Sequence, residues 1–266
     1  MKKNISLIFV FFFATSLAFA QKKLTIEDVS GMNRSVYPSS MRNLQWVPES
    51  NRFSYMENNA LLTRKADKTV PDTLVRLSEM NPALKKASFD TLARFPFISW
   101  EDESSFLFTN NQKVFRYFVN SRSVSFVNSY PEEAENIDAT GNMKKIAYTV
   151  DNNLYLALEG KQVQLTQDTL TGIVSGQSVH RNEFGIEKGT FWSPEGNYLA
   201  YYRKDETMVT DYPIVNTTTR IAELENIKYP MAGMTSEQVT LIVYNLADGT
   251  RLTVKTGLPA DQYLTS

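Results

Sequence analysis

His180 is the one histidine of this 266-residue chain, and Ser178, Arg181, Asn182 and Glu183 lie within three positions of it. A serine nucleophile needs a base within hydrogen-bond reach and a third group that orients the base. Residues i and i+2 of a strand face the same side, so Ser178 and His180 could meet, but no third group accompanies them. The Gly-x-Ser-x-Gly elbow that would expose such a serine is missing, because Gly176-Gln177-Ser178-Val179 runs into His180 where the second glycine belongs. The pair therefore reads as polar packing. One histidine and no cysteine leave only carboxylates and carbonyls as metal ligands, and neither an Asp-rich calcium loop nor a Gly-rich phosphate loop is present. No metal and no cofactor are expected. Glu183 remains. A carboxylate that meets an ammonium in a partly desolvated cavity contributes about 1.5–3 kcal/mol. The same carboxylate paired on the surface with Arg181 or Lys188 contributes at most about 1 kcal/mol. On residue types alone the surface pair is the simpler reading.

The scaffold behind these residues begins with an export pattern. Lys2 and Lys3 precede an uncharged run from Ile5 to Ala20 that ends in Ala18-Phe19-Ala20. This predicts a signal peptide over residues 1–20 and a soluble mature chain from Gln21, in the periplasm or at the cell surface. The apolar run falls short of the roughly 20 residues of a membrane helix, and no later segment is apolar enough to span a bilayer. Export without cysteine means that no disulfide holds the fold, so burial must. The supply is ample, with 42% hydrophobic and 12% aromatic residues. A net charge of −1 argues against nucleic acid and anionic membranes as partners, and leaves a peptide or a small ligand.

From residue 44 onward, short aromatic and β-branched runs alternate with Asn, Gly, Ser and Asp clusters, which predicts strands joined by hairpins. One phrase recurs. Trp46-Val47-Pro48-Glu49-Ser50-Asn51 precedes Arg52-Phe53-Ser54-Tyr55, and Trp100-Glu101-Asp102-Glu103-Ser104 precedes Ser105-Phe106-Leu107-Phe108. Asp138-Ala139-Thr140-Gly141-Asn142 and Trp192-Ser193-Pro194-Glu195-Gly196-Asn197 lead into Lys145-Ile146-Ala147-Tyr148 and Tyr198-Leu199-Ala200-Tyr201 in the same way. Intervals of about 40–55 residues fit four-stranded propeller blades, roughly four of them, in an all-β fold. A β-sandwich with chance similarity between its hairpins is the competing architecture. Between Lys204 and Val239 the repeat is broken by a long excursion, read as a functional or disordered loop with a helical turn over 221–225. Four blades leave a ring open, so the chain is expected to be truncated, and to aggregate or fold partially when expressed alone.

The stretch Gly176-Gln177-Ser178-Val179-His180-Arg181-Asn182-Glu183-Phe184-Gly185-Ile186, followed by Trp192-Ser193-Pro194-Glu195-Gly196-Asn197, resembles the N-terminal propeller of dipeptidyl peptidase IV-like enzymes. Tyr229-Pro230-Met231-Ala232-Gly233 is similar to the same family's Tyr-Pro-x-Ala-Gly phrase at a matching distance downstream. The resemblance implies that residues 21–266 are the front part of an eight-bladed propeller, cut before the α/β-hydrolase domain that carries the serine, aspartate and histidine. That missing domain of the same polypeptide is the first expected partner. The second is a peptide substrate with a free amino terminus, and the parent is expected to be a possible homodimer.

In that family paired glutamates from a propeller loop hold the substrate's amino terminus, and cleavage follows a nearby proline. Glu183 falls on the second glutamate of the motif and Asn182 on the first, a departure that looks nearer to the prolyl tripeptidyl peptidase branch. The implied role for Glu183 is a ruler that fixes product length, with Arg181, Tyr201, Tyr202 and Arg203 as weaker candidates for shaping the cavity. An arginine that contacts a substrate carbonyl in the family has no counterpart, since Ser129-Tyr130-Pro131 occupies its place and neither Arg116 nor Arg122 substitutes well. On its own the chain should not hydrolyse peptides. Two alternatives stand beside this reading: a stand-alone periplasmic propeller that binds proteins, and a pseudoenzyme subunit that pairs with a separately encoded hydrolase.

Overall fold

A computed structural model describes residues 23, 25–31 and 40–264. The expected signal peptide, residues 1–20, lies outside the described residues. Two units are distinguished, divided after Met41. The first holds helix α1 (Ile26–Ser30), capped by a reciprocal pair: the Thr25 hydroxyl accepts from the Asp28 N–H, and the Asp28 carboxylate accepts from the Thr25 N–H. Among the described residues no helix is long and apolar enough to cross a membrane.

The second unit is a series of antiparallel sheets. The first contains β1 (Arg42–Trp46), β2 (Arg52–Glu57), β3 (Ala60–Lys65) and β4 (Asp72–Arg76), and is followed by helix α2 (Leu77–Lys86). The second contains β5 (Ile98–Asp102), β6 (Ser105–Asn110), β7 (Lys113–Phe118) and β8 (Ser123–Ser129), and the third β9 (Glu135–Ala139), β10 (Lys145–Val150), β11 (Asn153–Leu158) and β12 (Lys161–Gln164). In the fourth, β13 (Ile173–Ser175) and β14 (Thr190–Trp192) share one edge of β15 (Tyr198–Asp205). A separate hairpin, β16 (Asp211–Asn216) and β17 (Glu223–Lys228), precedes β18 (Gln238–Asn245) and β19 (Arg251–Thr253), which complete that sheet. These are four blades of a partial β-propeller, and the recurring phrase is the turn from the first to the second long strand of each.

Local chemistry explains the hairpins. The two-residue loops Asn58-Asn59, Asn111-Gln112 and Glu159-Gly160 have positive φ at both positions, the geometry whose twist matches that of the flanking strands. The period of two then builds the core between blades. Phe106 and Phe108 pack toward the first sheet with Met56 and Leu61, while Leu107 between them packs toward the third with Ile146 and Tyr148. Ala147 turns the other way, toward Leu199 and Tyr201 of the fourth. Two tryptophans of the phrase tie the second and fourth blades to the blades before them. Trp100 Nε1 donates to the Ser54 hydroxyl at 2.7 Å, and Trp192 Nε1 to the Asp138 carbonyl at 3.1 Å.

The excursion differs from its expected form. Glu223, Leu224 and Glu225 are extended in β17, paired with Asn216, Val215 and Ile214, and no helical turn forms there. The run Tyr212-Pro213-Ile214-Val215 supplies a β-prone partner strand, and pairing across it satisfies backbone groups that a single isolated turn would leave open. The hairpin is an exposed arm, carrying Val215 at 56% exposure and Leu224 at 69%.

Candidate functional site: an insertion in the first edge of the fourth blade

The first edge of the fourth sheet is one strand broken in two. β13 pairs with Arg203–Asp205 and β14 with Leu199–Tyr201, both antiparallel to β15. Residues 176–189, the segment that gathers the chemistry-bearing side chains, are extruded between them. Tyr202 clamps the neck, since its carbonyl accepts from the Gly176 N–H at 2.8 Å and its N–H donates to the Gly189 carbonyl at 2.9 Å. Only glycine fits at 189, where an added Cβ would lie 2.0 Å from the Gln177 carbonyl oxygen.

Beyond the neck the chain makes a left-handed turn. His180, Arg181 and Asn182 have φ of 51°, 55° and 59°, and Phe184 has φ of 56°, while Glu183 is extended. Left-handed backbone costs roughly 1–2 kcal/mol for each non-glycine residue, so the surroundings must hold this turn. Val179 and Ile186 are buried against Tyr202 and Val239. The Ser178 hydroxyl bonds Asn182 Oδ1. Arg181 donates to the Lys228 carbonyl at 2.7 Å, with its guanidinium 4.1 Å from the centre of the Tyr229 ring. That contact joins the insertion to the Tyr229–Gly233 phrase.

His180 is buried. Its backbone N–H donates to Glu237 Oε1 at 3.2 Å, and its Nε2 accepts from the Leu264 N–H at 3.1 Å. The ring proton therefore sits on Nδ1, which lies 3.6 Å from Glu237 Oε1. Ser178 and His180 are thus engaged with different partners. Burial pushes the imidazole's pKa down from 6.5; Glu237 and Glu183 oppose that shift and Lys204 adds to it. The Tyr263 ring packs on it at 4.7 Å. A depressed histidine pKa means that the unfolded chain takes up the proton first as pH falls below 6.5, so stability is lost on acidification. Wild type is expected to lose thermal stability more steeply than His180→Gln between about pH 6.5 and 5. Parallel slopes in a series of melts would remove His180 as the cause.

Glu183 is exposed on the turn, and neither cation suggested as its surface partner takes that role. Arg181 is committed to Lys228 and Tyr229, and Lys188 reaches Asp138 at 3.2 Å. The negative charge of Glu183 instead pushes up the pKa of the Tyr263 phenol. Tyr263 also meets Phe184 edge to face at 5.3 Å. Asn182 projects beside Glu183 with its side-chain oxygen taken by Ser178.

The remaining candidates separate by the alternation of β15. Tyr202 lines a depression of about 440 Å³ with Phe191, Leu241, Tyr263 and Leu264, beside the insertion. Tyr201 must face the opposite side; it is 1% exposed in the core between the third and fourth blades, away from the depression, and burial raises its pKa. Arg203 is ion-paired with Asp168 at 2.8 Å. Arg116 and Arg122 are bound by Glu101 and Glu79. A second depression, of about 560 Å³, is lined by Arg42, Phe95, Phe97 and Leu107 and includes no residue of the insertion. Sequence reasoning missed Glu237 and Tyr263. They lie 54 and 80 positions beyond Glu183, and no local pattern marks either; only folding brings them to the turn.

The profile described as the dipeptidyl peptidase IV N-terminal region matches residues 93–266, which include the whole insertion. The chain belongs to this family. Dipeptidyl aminopeptidase B of Saccharomyces cerevisiae is 32% identical over 144 residues, covering 50% of this chain and 18% of that protein. A solved Bacteroides ovatus protein assigned as a dipeptidyl aminopeptidase IV superposes with a TM-score of 0.78 at 36% identity, covering 91% of this chain and 34% of its own. Dipeptidyl peptidase 4 of Porphyromonas gingivalis shares the fold, with a TM-score of 0.62 at 22% identity over 91% of this chain and 36% of that one. The chain thus spans between about a fifth and about a third of these relatives.

Proposed function

We propose that this chain is the substrate-recognition part of a secreted dipeptidyl peptidase IV-family serine exopeptidase, in which Glu183 receives the free amino terminus of a peptide. An α/β-hydrolase domain of the same polypeptide supplies the cutting machinery. The observation that carries the reading is the commitment of Arg181 and Lys188 to other partners, which leaves Glu183 without either neighbouring cation at the tip of a loop that the fold strains to present. A carboxylate so placed is matched to an ammonium, and because it is held apart from the nucleophile it sets how many residues are released. Asn182, with its oxygen already taken, contributes shape and no charge.

The test compares wild type and Glu183→Gln in the full-length peptidase, on Gly-Pro and Ala-Ala-Pro chromogenic substrates. Each substrate is used with a free and with an acetylated amino terminus. Glu183→Gln is expected to lower kcat/KM on free-amine substrates about tenfold or more, a loss of about 1.4 kcal/mol, and to spare the acetylated ones. The better of the two peptides gives the ruler's length. Equal cleavage of both classes by the variant would make Glu183 an ordinary surface residue. A second reading, a propeller that binds proteins without any peptidase role, draws on the exposed apolar arm β16–β17. The same assay separates the two, because a pure binding module cleaves neither substrate.

A further inference from the structure

We infer that Glu237 is the positioning residue of the Glu183 turn, a role that rests on the amine-anchor reading. Glu237 is 6% exposed, immediately before β18, and belongs to neither resemblance-bearing phrase. A buried carboxylate is costly unless hydrogen-bonded, and what faces this one is the insertion: the His180 backbone N–H at 3.2 Å and its Nδ1 at 3.6 Å. His180 opens the left-handed run that ends one residue before Glu183. Fixing its N–H therefore fixes the direction in which the turn leaves the neck.

A second route runs through the rings. Glu237 orients the imidazole, the imidazole packs on Tyr263 at 4.7 Å, and the Tyr263 phenol feels the charge of Glu183. Backbone and side chains thus converge on one carboxylate, and both routes start from Glu237. Its Oε1 is taken by His180 and the residue is buried, so it acts through the turn and does not itself touch the ligand.

The experiment uses the full-length peptidase and measures inhibition constants for a Gly-Pro peptide with a free and with an acetylated amino terminus, alongside KM, kcat and a thermal melt. In Glu237→Ala the preference for the free amine is expected to fall roughly tenfold, because a loosened turn no longer holds the carboxylate at the amine. The loss should appear in KM, with kcat on saturating substrate close to wild type. Glu237→Asp keeps the buried charge but withdraws it by one methylene, so it covers the case in which the alanine variant does not fold. It should show the same selective loss in smaller measure. A loss shared equally by free and acetylated peptides, or no change in their ratio, overturns the inference. Glu183→Gln run in parallel distinguishes the failures. If it abolishes the free-amine preference while both Glu237 variants keep it, only the positioning role falls; if it too keeps the preference, the anchor reading falls as well.

Discussion

Gly189→Ala is expected to cost about 4 kcal/mol or more, at the far end of the range for single substitutions. The added Cβ would lie 2.0 Å from the Gln177 carbonyl oxygen, 2.3 Å from its carbon and 2.6 Å from the Gln177 nitrogen. All three are backbone atoms, so no rotamer change relieves the contact. The neck must open, and with it go the Gly189–Tyr202 hydrogen bond and the pose of the turn beyond. Two other glycines calibrate the effect. At Gly176 the nearest obstacles are the buried side chains of Leu154 at 2.7 Å and Thr149 at 3.3 Å, and at Gly185 a Cβ meets nothing within 4 Å. Both have positive φ, so alanine at 185 should cost only the backbone strain of roughly 1–2 kcal/mol, and at 176 that strain plus about 1–3 kcal/mol for overpacking a buried side chain. Denaturant midpoints for the three variants check the order. A Gly189→Ala midpoint no lower than that of Gly185→Ala would show that the neck is not closed as described.

Phe106→Ala is expected to cost about 3–5 kcal/mol, the usual range for truncating a fully buried aromatic. Its side chain is 0% exposed, stacks on Tyr117 at 5.2 Å, and meets Trp100 edge to face at 5.5 Å. These rings cement the second blade to the first. The melting temperature should fall by about 10 °C in a unit of this size. Leu107→Ala is the informative partner, since the neighbouring residue faces the third blade. Hydrogen exchange should show protection lost toward β2 and β3 in Phe106→Ala, and toward β10 and β11 in Leu107→Ala. Loss of the same amides in both variants would contradict the alternation on which the blade assignment stands.

Much of the architecture was legible before folding. Hairpin loops such as Asn58-Asn59 carry their own backbone preference, strand alternation is written in runs such as Phe106-Leu107-Phe108, and the Trp-turn phrase repeats at blade spacing. These are local signals, and local physics reads them. The long excursion between Lys204 and Val239 was misjudged for the opposite reason. Whether 221–225 coils or extends depends on Tyr212–Val215 across the hairpin, a partner that a local window does not contain.

The site divides along the same line. Residue types and family phrases were enough to single out Glu183, because a carboxylate's chemistry belongs to the residue wherever it sits. They could not rank Tyr201 against Tyr202, since neighbours on one strand differ only in which side is core, and that depends on the blade packed against each face. Nor could they find Glu237 or Tyr263, whose importance comes from contacts across 57 and 83 positions to His180. The amino-acid sequence by itself determined the strands, their turns, the family and the carboxylate at issue, all of which rest on covalent identity and short-range preference. Only the tertiary structure decided that β13 and β14 are one interrupted edge, that Gly176 and Gly189 pinch the insertion, and that the buried Glu237 carboxylate meets the His180 N–H. Those facts are distances between residues remote in sequence, and they come into being only when the sheet closes around them.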